Sequence, residues 1–199
     1  LVAQQYKRRE MDFQRGYMVF YGAGRAGWTQ GLSTPGVGAA FKEKITEPGP
    51  WGISMMMQGE TVPRRENHVR LSPDQKDAWG IPQLVTSVDY HANDDRLTKD
   101  FLARGQEMLA AAGAKNIVSS DGKRAPGLDI HEMGGVRMGR DPKTSLLNRW
   151  NQLHACTNVF VTDGASMAST GTQNPSLTFM ALTARAARHA VDEMKKGNL

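Results

Sequence analysis

The sequence predicts an α+β protein in which an antiparallel sheet covered by helices is followed by a C-terminal strand and helix. Three observations predict it. Strand-like runs at 17–21, 51–62 and 83–90 follow one another without long helices between them, which suits antiparallel pairing. One amphipathic stretch, NDDRLTKDFLARGQEMLAAAG at 93–113, has helical periodicity. The apolar run NVFV is followed some ten residues later by a long alanine-rich helical stretch.

The chain of 199 residues can bury a core and suits one domain or two small ones. Hydrophobic residues at 39% and charged residues at 23% are too mixed for a disordered chain. The start, LVAQQYKRRE, is neither a signal peptide nor a methionine start, so the chain reads as cut from something longer. No window approaches a membrane span. The single cysteine, Cys156, excludes an internal disulfide. The net charge of +5 is scattered in short clusters, KRR at 7–9, RR at 64–65 and KK at 195–196, each near acids. A nucleic-acid surface needs a continuous stripe with stacking aromatics, so no nucleic-acid partner is expected.

In chain order, YMVF at 17–20 leads into YGAGRAGW, where Gly22, Gly24 and Gly27 have G-x-G-x-x-G spacing. That fingerprint binds a dinucleotide only where its glycines turn from a strand into a helix. The following WTQGLSTPGVG holds Gly31, Pro35, Gly36 and Gly38 and cannot open a helix. The motif therefore reads as a Gly-rich loop after a strand. A short helix, AAFKEKI, and a turn, TEPGPW, come next. WGISMMMQGETV at 51–62 is a strand whose methionines fill a core or line a pocket. NHVRLSPDQKDAWGIP gives a short strand, an Asp-rich turn and a stop at Ile81 before Pro82. QLVTSVDY alternates as the next strand. In the helix that follows, Asn93, Asp94 and Asp95 offer capping acceptors. Leu97, Phe101, Leu102, Met108 and Leu109 form its stripe, and Gly113 ends it. The loop SSDGKRAPG marks a boundary between domains at 1–122 and 123–199.

Three elements of the second half carry chemistry: PGLDIHEMGGVRMG at 126–139, TNVFVTDGAS at 157–166 and TGTQNPSLTFMALTARAARHAV at 170–191. Singly, each has an ordinary structural explanation. NVFV is a buried strand with Asp163 in the turn at its end, Asn174 and Pro175 start a helix, and His131 sits in a loop. Together they describe a pocket. An acid at a strand's carboxyl end can hold a hydroxyl, a helix start offers free N–H groups and a positive dipole end, and a glycine-rich loop lets backbone approach a planar ligand. The five histidines, 68, 91, 131, 154 and 189, show no ligand spacing with Cys156, so no metal is expected.

The order HEMGGVRMG, NVFVTDGAS, TQNPSLT resembles the C-terminal region of the glucose-methanol-choline (GMC) family of FAD-dependent oxidoreductases. ENHVRLSPDQKDAWGIP and the strand and helix after it resemble that family's substrate domain, so the likeness covers residues 60–199. A histidine before GGVRMG is most similar to the sugar-oxidising branch of pyranose oxidases and glucoside dehydrogenases. The resemblance implies a substrate-binding portion over 1–122, and over 123–199 the C-terminal strand and helix of a Rossmann-like FAD domain. It implies FAD as cofactor and an alcohol or sugar as substrate. It implies His131 and Asn174 as active-site residues, Asp163 and Gly164 beside the ribityl and pyrophosphate part, and Asn174, Pro175 and Ser176 at the pyrimidine end of the flavin. Arg137 and Met138 are assigned to packing. The family's own nucleotide-binding βαβ is missing here. The resemblance thus implies a fragment, inactive alone, whose N-terminal FAD-binding region or partner subunit lies elsewhere.

Oxidising an alcohol removes a hydride from carbon and a proton from oxygen, and a neutral imidazole suits the second task. His131 is the expected base, with Asn174 orienting the hydroxyl. Two alternatives stand beside this reading: a non-catalytic assembly module that packs on a partner, and a nicotinamide dehydrogenase built on the first glycine motif.

Overall fold

The computed structural model describes residues 11–122, 124–128 and 130–199. The opening decapeptide with its KRR cluster, Lys123 at the expected domain boundary, and Asp129 lie outside the described residues. The chain is mixed α/β, with strands β1 (Tyr17–Arg25), β2 (Trp51–Gly59), β3 (His68–Lys76) and β4 (Pro82–Ser87) and helices α1 (Gly38–Thr46), α2 (Ala92–Ala111) and α3 (Ser176–Lys195). It divides into two compact units. One holds Met18–Gln58 and Thr98–Ser120, and the other holds residues 11–17, Gly59–Leu97 and the chain from Asp121 onward. No helix among the described residues is long and apolar enough to cross a membrane.

In the first unit β1 pairs with β2. A β-carbon on Gly22 would lie 3.6 Å from Ser54 Oγ, and the Ala26 N–H donates to the Pro50 carbonyl at 3.1 Å, so one strand rises as the other falls. Gly22 and Gly24 lie inside β1, not in a loop after it. Pairing with β2 carries the strand through them. Gly27 then precedes a 3₁₀ stretch, Trp28–Leu32, that has no side-chain cap. α1 packs on that stretch, because Gly31 leaves room for Phe41 and Ile45, whose atoms lie 3.2–3.4 Å from its missing β-carbon.

In the second unit β3 and β4 are antiparallel, with His68 opposite Ser87 and Leu71 opposite Leu84. A bulge follows Leu71, where Ser72 Oγ accepts from the N–H groups of Asp74 and Gln75. The expected Asp-rich turn is built by Asp77, whose Oδ1 accepts from the N–H groups of Trp79 and Ile81, both at 2.9 Å. β4 ends at Ser87, three residues earlier than the alternation suggested. The strands therefore form two two-stranded sheets instead of one. Pro63 and the turn-forming residues 60–67 break β2 from β3, since proline cannot donate to a ladder.

α2 occupies the expected stretch, but its N-terminus is built differently. His91 is the cap: its carbonyl accepts from Asp94 at 2.8 Å and its Nδ1 from the Asn93 N–H, while Asp94 Oδ2 accepts from the His91 N–H at 2.8 Å. Asn93 is buried and bonds both polar groups of the Gln14 backbone instead. Leu97 is buried, Phe101, Leu102 and Leu109 are half-buried, and Met108 is exposed. Gly113, with φ of 80°, ends the helix as expected.

The strand expected at NVFV is absent. Residues 157–162 make a single bridge, Gln152 to Phe160, flanked by bonds from Leu153 N to Val159 O and from Val161 N to Asn151 O. Only the short segment 151–153 lies beside them, so the ladder stops after one bridge. Leu147, fully buried, sits at the centre of these bridges, paired with both Met138 and Leu153.

Candidate active site

All six residues singled out for the site lie in the second unit. His131 is half-buried and has φ of 86°. A histidine in the left-handed region is uncommon, costs of order 1–3 kcal/mol, and persists where surrounding structure imposes it. The chain after it is tied to residues 165 and 166. The Val136 N–H donates to Ala165 O and the Met138 N–H to Ser166 O, each at 2.9 Å. A β-carbon on Gly134, whose φ is 87°, would lie 3.6 Å from the carbonyl oxygens of Met167 and Ala168.

Asp163 is exposed and begins a 3₁₀ turn, Gly164–Ser166. Its Oδ1 accepts from the Ala165 N–H at 3.0 Å, and its carbonyl accepts from both the N–H and the hydroxyl of the wholly buried Ser166. Gly164 is where the segments meet. A β-carbon there would lie 3.0 Å from the Glu132 carbonyl oxygen, 3.0 Å from Met133 Sδ and 3.2 Å from Phe179 Cζ. The residues after His131, the residue after Asp163 and the first turn of α3 thus close on one glycine.

The start of α3 corrects one expectation. Pro175 is the cap, not the first helical residue, and Ser176 opens the helix. Asn174 therefore does not cap it. The asparagine side chain is exposed and makes no hydrogen bond among the described residues, whereas Pro175 is buried and its carbonyl accepts from the Phe179 N–H at 3.1 Å. No side chain caps the helix, whose first turn is the positive end of a 20-residue dipole. Glu132 and Met133, next to His131, and Phe179, five residues after Asn174, are what meets at Gly164.

Two supporting groups escaped the sequence reading. Asn151, wholly buried with φ of 62°, donates from Nδ2 to Val161 O at 3.0 Å and accepts on Oδ1 from Arg185 at 3.3 Å. The same Arg185 nitrogen lies 3.7 Å from Met138 Sδ, so one guanidinium of α3 reaches both the end of the His131 loop and the segment leading to Asp163. His189 stacks on Trp150 with ring centres 4.6 Å apart, and His154 Nε2 lies 3.2 Å from Ser145 Oγ. A buried asparagine in a left-handed turn has no local signature that separates it from an exposed one.

The sequence matches a known family and several known proteins. The sequence model of the family described as GMC oxidoreductase matches residues 63–183. The chain is 34% identical over 166 residues to 2-methyl-1,2-propanediol dehydrogenase of Mycolicibacterium austroafricanum, covering 75% of this chain and 30% of that protein. It is 32% identical over 173 residues to the fructose dehydrogenase large subunit of Gluconobacter japonicus, covering 87% and 31%. It is 30% identical over 158 residues to the gluconate 2-dehydrogenase flavoprotein of Pantoea cypripedii, covering 75% and 25%. The matched part thus spans about a third or less of the length of these relatives.

Proposed function

The chain belongs to the GMC oxidoreductase family, and from that premise we propose that it is the C-terminal part of a flavin-dependent enzyme that oxidises a CH–OH group of an alcohol or sugar to a carbonyl. The observation that carries the reading is the meeting at Gly164 of Glu132, Met133 and Phe179. The names of the relatives, two of them sugar or sugar-acid dehydrogenases and one a diol dehydrogenase, support the substrate class. The proposal keeps the division into a substrate-binding portion, 1–122, and a cofactor-binding portion, 123–199.

The residues present suit a flavin nucleotide. Asp163 has one carboxylate oxygen committed to its turn and is exposed, able to accept from a ribityl hydroxyl. Gly164 lets Glu132, Met133 and Phe179 close on the turn that Asp163 begins, and the uncapped start of α3 offers N–H groups to an electron-rich ring edge. Bound FAD supplies the acceptor for the hydride. The chain's own residues do the rest. His131 takes the hydroxyl proton onto its imidazole, which lets the oxygen become alkoxide-like as the C–H bond breaks. Asn174, its amide unbonded among the described residues, holds the same hydroxyl and so fixes which C–H is presented. The left-handed backbone at His131 fits a side chain held for a task.

The test uses the full-length protein. It should be yellow, with absorbance near 450 nm that bleaches anaerobically on adding a member of a panel of sugars, sugar acids and diols. A yellow protein that no panel member bleaches would remove the catalytic assignment. A colourless protein would favour the second reading, a non-catalytic module that packs on a partner. One observation supports that module: among the described residues four apolar side chains are buried, Phe13, Leu97, Leu147 and Ala186, against twenty-five large ones exposed.

A further inference from the structure

A cavity of about 360 Å³ lies within the second unit, where residues 11–14, the chain before β3 and the start of α2 meet. Its lining includes Met11, Asp12, Val62, Arg64, His91 and Arg96, and its size is that of a small-ligand site. Asn93 fixes its edge. The buried amide accepts from the Gln14 N–H at 2.7 Å and donates to the Gln14 carbonyl at 3.2 Å, tying residues 11–14 to α2. Arg96, in the second turn of α2, is the group that nothing in the chain satisfies. Its Nε is buried without a hydrogen-bond partner, and no carboxylate pairs with its guanidinium among the described residues. A buried charged donor left unpaired is costly, and an apolar side chain there would avoid the cost. Arg64, half-buried, makes no hydrogen bond among the described residues; its Nε stands 3.5 Å from the exposed Glu66. His91 accepts on Nδ1 from the Asn93 N–H, which leaves Nε2 as the donor of the ring. The helix start adds little, because the N–H groups of Asn93, Asp94 and Asp95 are already bonded to His91. What the cavity offers an anion is therefore side chains.

We infer that this cavity binds a small hydroxy acid, its carboxylate held by Arg96 with Arg64 and its hydroxyls by Asp12 and His91. A planar guanidinium matches a carboxylate with two parallel N–H···O bonds, and charge-assisted bonds of this kind are the strong ones. Two guanidiniums against one carboxylate, Asp12, leave the lining with a net charge of +1, the imidazole counted as neutral, which suits a monoanion. Asp12 is exposed and has no ion pair among the described residues. It repels a bare dianion such as phosphate, and it accepts from hydroxyls that a simple anion lacks. Met11 and Val62 supply apolar surface for the carbon chain. The inference does not rest on the oxidoreductase reading, since none of these residues is assigned to proton or hydride transfer.

The experiment is anaerobic titration calorimetry of the full-length protein with glycerate as the probe. Glycerol, in which a hydroxymethyl group replaces the carboxylate, and inorganic phosphate at matched ionic strength are the comparisons. Glycerate should bind, and both comparisons should bind at least about tenfold more weakly. Arg96→Met should weaken glycerate binding by about 10–100-fold, the usual worth of a charged hydrogen bond. Arg70→Met, at an exposed position on β3 outside the cavity, should leave it unchanged. Without glycerate, Arg96→Met should melt no lower than the parent, because it removes an unsatisfied buried donor; glycerate should raise the melting temperature of the parent alone. No binding to the parent, or equal binding by Arg96→Met, would overturn the inference. Phosphate binding as tightly as glycerate would overturn the hydroxy-acid assignment, and a lower melting temperature of ligand-free Arg96→Met would give the arginine to the fold instead. If Arg96→Met fails to fold, Arg64→Met supplies the second measurement and should also weaken glycerate; unchanged affinity there would overturn the site. Calorimetry and melting do not depend on colour or turnover. Glycerate bound through Arg96 in a protein that no sugar bleaches would leave this inference standing while the catalytic reading failed, and a bleaching protein that ignores glycerate would do the reverse.

Discussion

The Glu132 carbonyl oxygen stands 3.0 Å from where a β-carbon on Gly164 would be, tighter than most real β-carbon contacts, so that the neighbour would have to give by a few tenths of an ångström. The neighbour is backbone, so it cannot swing aside like the end of a side chain. Gly164→Ala should therefore cost about 1–3 kcal/mol by overpacking. It should also push the chain next to His131 away from α3. In the full-length protein the rate of flavin reduction should fall more than flavin content does. Gly135→Ala, whose nearest neighbour is an ordinary 3.8 Å contact with Ala165, is the control and should leave both unchanged. Equal behaviour of the two variants would show that Gly164 is no junction.

His131→Ala should slow flavin reduction by about 10²–10⁴, the usual worth of a general base, with flavin still bound. The backbone adds a second readout. With φ of 86°, His131 carries a left-handed cost that glycine escapes. His131→Gly should therefore be more stable than His131→Ala by about 0.5–1 kcal/mol, yet equally slow. Reduction at the parental rate in both variants would end the base assignment, and calorimetry settles the strain independently.

What was legible in the sequence was what local chemistry decides. The turn at Asp77 and the glycine stop at Gly113 follow from residue types and appear where expected, and what opens directly after Gly27 is a 3₁₀ stretch, not an α-helix. The order HEMGGVRMG, NVFVTDGAS, TQNPSLT pointed to the family that residues 63–183 match. What failed were readings that depend on distant partners. Asn93 looks like a helix cap, but Gln14, far away in sequence, takes both ends of its amide and leaves the cap to His91. NVFV looks like a strand, but a strand exists only beside another, and here one short segment is available. Asn174 looked like a cap because proline usually takes the first helical position, whereas Pro175 itself caps α3.

That last difference changes the expectation for Asn174→Ala. Were the asparagine a cap, its loss would cost about 1 kcal/mol. Since its side chain is exposed and unbonded among the described residues, stability should stay within about 0.5 kcal/mol of the parent. Turnover should nonetheless fall, with the loss mainly in kcat/KM. A melting curve alongside steady-state kinetics checks both. A clear drop in melting temperature with unchanged kinetics would return Asn174 to a structural role.

The end of α3 should respond to pH at both extremes. Lys196 Nζ donates to Glu193 at 2.8 Å, and Asn198 Nδ2 donates to the other oxygen at 2.6 Å; these bonds hold the Glu193 carboxyl below its ordinary value of 4.5. The bond to Glu193 raises Lys196 above its ordinary 10.5. A lowered carboxyl stabilises the fold above its unfolded value and stops doing so as pH falls through the folded one; a raised amine stabilises below its unfolded value and stops as pH rises through the folded one. The last turn should thus fray as pH falls below the ordinary carboxylate range and as it rises above the ordinary lysine range. Amide exchange at 193–198 follows the acid limb, and Glu193→Gln should abolish its pH dependence.

Arg185 offers the sharpest test of how the site is braced. Asn151 has no exposed surface, and its Oδ1 has one donor among the described residues, the Arg185 guanidinium at 3.3 Å. Arg185→Met keeps the aliphatic stem but removes every donor, leaving a buried amide oxygen unsatisfied, which should cost about 1–3 kcal/mol. Contact with Met138 Sδ, at 3.7 Å to a weak acceptor, should contribute little, so Met138→Leu should be nearly neutral. Arg185→Gln keeps a donor on a shorter arm and should fall between parent and Arg185→Met. Denaturant titration of the full-length variants gives the order. If Arg185→Met matches the parent in stability, the guanidinium is not what satisfies Asn151, and the brace between α3 and the segment leading to Asp163 must be carried by the bond from Thr183 Oγ1 to the Thr162 carbonyl, at 3.3 Å.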